Sequence, residues 1–403
     1  MDVGVKSVVV CPLLLILSGL VISACHAAAQ STSNDDQLQT AIALEQQGKI
    51  PEAEAAWRAV LTSHPDRPEP YAHLGFLEAR QERYQEAIPL YRKAIALDPH
   101  MPGLEMNLGL ALFKAGELRE ANQIFGKLLK SQPPSSAEAK RLRTLIGMAD
   151  YGLKEFAAAI PLLKEATLDD PQNLPFRLLL AHSCLAEKQY QCVLDAYHEI
   201  LSLNAESAEA DMLAGEALDE MQDHTGAIQQ FRAAVKANPK EPNVHFGLGY
   251  LLWTQLQYAE AADEFKAELA NVPDHAQALL YLADSNLKMN HPDLALPLLL
   301  KVVRLQSNAE LAHLDLGIIY ADKGQHADAL RELQLAAKIN PNDVGVHWRL
   351  GQLYRAMGRK NEAQAEFEKT KTLNQAAGEP LSTKLNRARS QSEGSVLSTP
   401  GKN

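Results

Sequence analysis

No H-E-x-x-H, G-x-x-x-x-G-K or G-x-S-x-G motif occurs in the chain, which removes the usual marks of a zinc peptidase, a phosphate loop and a serine nucleophile elbow. The 13 His are scattered without the paired spacing that metal ligation needs. No catalytic residue, metal or cofactor is therefore expected. Basic charge is not in excess either. Lys and Arg number 39 against 50 Asp and Glu, and the formal net charge is -11. That balance excludes the clustered positive potential a nucleic-acid partner would require. Aromatics are only 6% of the residues although 46% are hydrophobic. The apolar fraction is carried by Ala and Leu, both strong helix formers, so an all-helical chain is expected. Beyond residue 24 no window is apolar enough to cross a membrane.

The first thirty residues differ from the rest. Lys6 precedes an apolar run from Val8 to Ala24, and small residues follow at Ala27, Ala28 and Ala29. This reads as a secretory signal. Two processing routes stay open. Ala27-Ala28-Ala29 suits cleavage before Gln30, giving a signal over residues 1–29. Ile22-Ser23-Ala24-Cys25 resembles a bacterial lipobox, giving a lipoprotein signal over residues 1–24 with Cys25 lipidated. An uncleaved anchor ranks last, because the run is short and holds Pro12 and Gly19. The expected location is outside the cytoplasm, in the periplasm or on a membrane facing it. The only membrane contact foreseen is this N-terminal lipid or signal anchor.

With Asn34 as position 1, one pattern recurs every 34 residues through residue 377, ten times over, with repeats starting at 34, 68, 102, 140, 174, 208, 242, 276, 310 and 344. Position 8 is always Gly or Ala: Ala41, Gly75, Gly109, Gly147, Ala181, Gly215, Gly249, Ala283, Gly317 and Gly351. Position 20 is Ala except for Val193, and position 24 is always large and apolar, from Trp57 to Phe367. Pro stands at position 32 in seven repeats, where it stops the second helix. The ninth repeat shows the unit most clearly. Leu316, Gly317 and Tyr320 lie on one helical face and Ala329, Leu333 and Ala336 on another, joined at Asp322-Lys323-Gly324 and closed by Pro341. Gly317, Ala329, Leu333 and Pro341 are expected to be packing positions. Two such helices cannot hold together alone in water, so the copies must stack.

A period of 34 with these positions resembles the tetratricopeptide repeat family. The resemblance implies an all-α, right-handed α-solenoid of about ten helix-turn-helix repeats, with each first helix lining a concave groove and each second helix forming the outer wall. Departures occur. Ala205, Ser307 and Gln375 replace the terminal Pro, so repeats five, eight and ten match least well, and Glu268 interrupts the apolar series at position 27. Four extra residues, Ser136 to Ala139, precede repeat four. Ser135 and Glu138 have capping-box spacing, and one extra N-terminal helical turn is expected there. After repeat ten, Leu381, Leu385 and Ala388 suggest a short capping helix over residues 378–390, and residues 391–403 read as a disordered tail.

The groove positions implied by the resemblance are 2, 5, 9, 12 and 13 of each first helix. Repeat seven places Phe246, Tyr250 and Trp253 at i, i+4 and i+7, with Tyr281 and Trp348 following in later repeats. Repeat six offers Glu216, Asp219 and Glu220. Together these favour a protein or peptide partner with apolar anchors and basic residues. The opposite reading, that a tight superhelix buries the aromatics as core, stays open. His245, His313 and His347 share position 4 and read as packing residues rather than ligands. Cys184 and Cys192 flank the turn of repeat five, and either a disulfide or two buried thiols would fit. The carboxylate clamp of some family members is absent, since Ala72 and Phe76 stand where its Lys and Asn would be. The function expected is a non-catalytic interaction scaffold or adaptor of the bacterial envelope. The alternative is an accessory factor that presents substrates to an envelope enzyme or to a secretion or pilus machine.

Overall fold

The computed structural model describes residues 32–203 and 206–378, and all of its regular structure among them is helical. Two compact units divide the chain between Asp223 and His224. The first holds α1 (Thr32–Gln46), α2 (Ile50–Ser63), α3 (Pro68–Arg80), α4 (Tyr84–Leu97), α5 (Leu104–Lys114), α6 (Leu118–Leu129), α7 (Ala137–Gly152), α8 (Phe156–Asp169), α9 (Leu174–Ala186), α10 (Tyr190–Ser202) and α11 (Ala208–Glu220). The second holds α12 (His224–Ala237), α13 (Val244–Thr254), α14 (Tyr258–Asn271), α15 (Ala276–Lys288), α16 (Pro292–Leu305), α17 (Glu310–Asp322), α18 (His326–Ile339), α19 (Val344–Ala356) and α20 (Lys360–Gly378). Within each unit every helix packs on its neighbours in sequence, which makes each an α-solenoid of helix pairs. First helices of consecutive repeats also touch, as α13 with α15 and α17 with α19. The signal segment with Cys25, Ala205, the capping helix beyond Gly378 and the tail lie outside the described residues.

The small residue at position 8 is a steric requirement. A Cβ placed on Gly75 would lie 2.9 Å from the Tyr91 ring, on Gly317 2.6 Å from Leu333 Cγ, and on Gly351 2.5 Å from the Phe367 ring. Ala329 and Leu333 are buried beside that contact. A large residue at position 24 therefore fills the space that position 8 leaves open, and the two helices of a pair close on each other there. The turn adds a second constraint. Position 15 lies in the left-handed region in all ten repeats. Gly48, Gly116, Gly324 and Gly358 occupy it in four, and Glu82, Lys154, Lys188, Gln222, Leu256 and Asn290 in the others. A side chain in that region costs about 1–2 kcal/mol except for Asn, so five repeats adopt the turn against local preference.

Several departures acquire physical reasons. The insert before repeat four is a helical turn, since α7 has 16 residues where most other first helices have 13. Its cap is Ser136 rather than Ser135, because Ser136 Oγ accepts the Ala139 N–H at 3.1 Å. Repeats five, eight and ten form helix pairs without the terminal Pro. Glu268 is buried because its carboxylate accepts the Phe246 N–H at 3.2 Å, at the start of a helix whose own N-cap side chain makes no capping bond. Pro341 is exposed. It acts through its carbonyl, which accepts from His347 Nε2 at 2.9 Å, and Ser307 serves His313 in the same way at 3.1 Å. The other ring nitrogens meet Glu366 at 2.6 Å and Glu332 at 2.8 Å. These position-4 histidines tie a first helix both to the preceding turn and to its own second helix.

Three substitutions test this account by urea denaturation of the full chain. Ala329→Leu overpacks the ninth pair and is expected to cost about 1–3 kcal/mol, with lost hydrogen-exchange protection concentrated in repeats eight to ten. Gly324→Ala meets no atom within 4 Å, so its cost of about 1 kcal/mol is purely backbone. Leu256→Gly relieves the same strain and is expected to be neutral or stabilising.

Candidate functional site

The aromatic stripe of the second unit is a half-buried wall. Phe246, on α13, packs inward, 6.0 Å from the fully buried ring of Phe265 and 4.9 Å from His275. Tyr250 and Trp253 stand further along the same helix, 6.1 Å apart with rings 20° from parallel. Tyr281, across on α15, meets both edge-on, at 5.3 Å and 5.1 Å. Neither sequence reading describes this arrangement alone. Inner edges join α13 to α15, while Tyr250 keeps 37% of its surface and Trp348, on α19, keeps 47%.

The second unit also holds two buried carboxylates that the sequence reading did not single out. Asp284 and Asp315 are buried on α15 and α17. One Asp284 oxygen accepts Trp253 Nε1–H at 2.7 Å, and the other is 4.0 Å from Lys288 Nζ. Asp315 Oδ2 has no hydrogen-bond partner in the protein. Burial, and then the neighbouring Asp284 charge, push the Asp315 pKa up to about 7, with Lys288 and Arg349 acting in the opposite direction. A signal was available. These two residues sit at positions 9 and 6, where most repeats carry uncharged residues.

The acidic set belongs to the first unit, on α11. Glu216 is exposed as a residue, yet the protein around it desolvates the carboxyl and raises its pKa, with His182 opposing and Glu220 adding to the shift. Glu220 accepts from the Tyr190 hydroxyl at 3.2 Å. Asp219 is half-buried beside it. Nearby, His182 Nε2 lies 2.7 Å from Glu209 Oε1. Cys184 and Cys192 are joined as a disulfide with their Cα atoms 5.9 Å apart, which links α9 to α10 and sets aside the free-thiol reading. A cavity of about 280 Å³ between the ends of α5, α6 and α7 is lined by no residue of either set. No group of three or more His, Cys, Asp or Glu able to hold a metal occurs among the described residues.

Family models for the tetratricopeptide repeat match residues 38–102, 78–146, 194–242, 246–288, 317–358 and 344–376, together more than half of the chain. Similar curated proteins include subunit 3 of the anaphase-promoting complex of Schizosaccharomyces pombe, 19% identical over 71% of this chain and 43% of that protein. Tetratricopeptide repeat protein 16 of Mus musculus is 22% identical over 77% and 49%. The TPR repeat-containing protein MJ1428 of Methanocaldococcus jannaschii is 21% identical over 73% and 56%. The chain thus spans about half the length of these relatives. Among solved structures, YrrB, described as a TPR protein with an unusual peptide-binding site, is 21% identical with a TM-score of 0.40 over 44% of this chain and 92% of that one. The Cut9–Hcn1 complex gives 16% identity and a TM-score of 0.45 over 76% and 59%.

The Asp315 environment makes stability depend on pH. Its folded pKa of about 7 stands above the ordinary value of about 3.9, so the folded state holds the proton more tightly than the unfolded one. Stability from this group is complete below about pH 4 and is lost as pH rises through about 7. Asp315→Asn keeps the shape and removes the charge. It is expected to raise the melting temperature at pH 8, change it little at pH 4.5, and flatten the slope between them. Thermal melts at the two pH values check this.

Proposed function

We propose that this chain, which belongs to the tetratricopeptide-repeat family, is a non-catalytic interaction scaffold of the cell envelope that holds a protein or peptide segment against the first-helix face of its second unit. Tetratricopeptide repeats serve as frames for protein–protein contact. What carries the reading here is the exposed side of the aromatic wall. Large rings held by their inner edges at Tyr250, Trp253 and Tyr281, with Trp348 open beyond them, offer apolar contact area with little side-chain entropy left to lose. The chain-wide negative balance, with Glu216, Asp219 and Glu220 on α11, favours a partner that pairs apolar anchors with basic residues. Export is supported by the N-terminal apolar run with its small-residue sites, and by the Cys184–Cys192 bridge, which persists in an oxidising compartment.

Crosslinking in the intact cell tests the binding face. A photoreactive residue at Tyr250 is expected to give one discrete protein adduct, and the same residue at Leu300, exposed on α16, should not. Adducts at Leu300 with none at Tyr250 would move the binding surface elsewhere. Intact-mass measurement of the mature chain tests export. The expected mass corresponds to a start at Gln30 or at a lipidated Cys25, and the full 403-residue mass would refute both routes.

A further inference from the structure

We infer that Asp284 is the positioning residue of the aromatic wall, fixing the Trp253 ring in advance for a large apolar side chain of the bound segment. The assignment rests on the scaffold reading above. Asp284, on α15, is only 6% exposed, and its Oδ2 accepts Trp253 Nε1–H from α13 at 2.7 Å. The bond crosses from one repeat to the next. An indole has a single donor, so with that donor spent Trp253 turns ring surface and no hydrogen-bonding group toward a ligand. A hydrogen bond to a carboxylate is among the stronger kinds, and a low-dielectric place strengthens it further. Trp253 meets Tyr281 at 5.1 Å and 70°, and lies 6.1 Å from Tyr250 with rings 20° from parallel. Holding this one ring therefore orders all three.

The three tryptophans of the chain form an internal series. Trp57 Nε1–H is accepted by Glu45 at 2.9 Å, but that ring is fully buried and stacks on His73, so it belongs to the core. Trp348 is 47% exposed and packs on Phe367, and its ring nitrogen makes no hydrogen bond among the described residues. Trp253 alone combines a held ring with a half-buried position on the first-helix side of the wall. A ring fixed before the ligand arrives has less freedom to lose on binding, which is worth about twofold to tenfold in affinity for one side chain.

Two measurements on the full chain test the assignment. Solvent exchange of the three indole N–H groups is read by NMR on isotope-labelled tryptophan, with Trp253→Phe identifying its signal. Slow exchange is expected for Trp57 and Trp253, and fast exchange for Trp348. Asp284→Leu should speed the Trp253 exchange at least about tenfold and leave Trp57 unchanged, whereas Asp284→Asn, which keeps an acceptor oxygen, should stay within about threefold of the parent. The photoreactive residue at Tyr250 then reads partner capture in the intact cell. Asp284→Leu should lower the adduct yield about twofold to tenfold, and Asp284→Asn should restore it. On a Trp253→Phe background, where the donor is gone, Asp284→Leu should cause no further loss. Trp253 exchange as fast in the parent as that of Trp348, exchange that stays slow in Asp284→Leu, or losses that add across the two substitutions would each overturn the assignment. If Asp284→Leu loses its helical circular dichroism, Trp253→Phe carries the test, and an undiminished adduct yield in that variant overturns the assignment too. An adduct at Tyr250 that ignores every variant leaves the scaffold reading intact and removes only the role of Asp284, while no adduct at Tyr250 in the parent refutes both.

Discussion

The close approach of two helices at position 8 is the constraint on which the rest of the structure depends. Without a side chain larger than methyl there, the ring or branched chain at position 24 lies directly against the opposing backbone, as Phe367 does against Gly351 and Leu333 against Gly317. The pair then presents one continuous apolar surface to the next pair, and burial accumulates by stacking instead of by enclosure. Interruptions elsewhere are tolerated because this contact is kept. Glu268 enters an apolar series yet finds an amide to accept from, and repeats without a terminal Pro form their helix pairs.

Polar side chains supply what the apolar seam leaves open. His313 and His347 each join a first helix, the second helix of the same repeat and the preceding turn, with a Glu on one ring nitrogen and a carbonyl on the other. These ties set the spacing between pairs, where hydrophobic contact alone is weakly directional. The turn at position 15 works against local preference in five repeats, which shows that stacking outweighs backbone strain of about 1–2 kcal/mol per repeat.

Against this regular frame the second-unit face is irregular. Phe246 and Phe265 belong to the packing, Trp253 and Tyr281 are shared between packing and surface, and Tyr250 and Trp348 are mostly surface. Asp284 is tied to the Trp253 ring, whereas Asp315 keeps an unmatched buried oxygen. Burial without a partner makes its charge a cost to folding at neutral pH.

Period, helix pairing, the small-large complementarity of positions 8 and 24, and the extra turn before α7 were legible in the sequence, because each follows from spacing along a single helix or between the two helices of one repeat. The identity of the cap, Ser136 and not its neighbour, was not, since one bond to the Ala139 amide decides it. The aromatics were legible as a stripe, but their division into inner and outer edges depends on how α13 meets α15. Asp284 and Asp315 lie 31 residues apart and come together only when successive first helices stack. Sequence by itself determined the repeat and the class of surface it builds, because those are local regularities. Tertiary structure alone decided which charges share a low-dielectric place and which rings stay open, because burial is a property of neighbours distant in the chain.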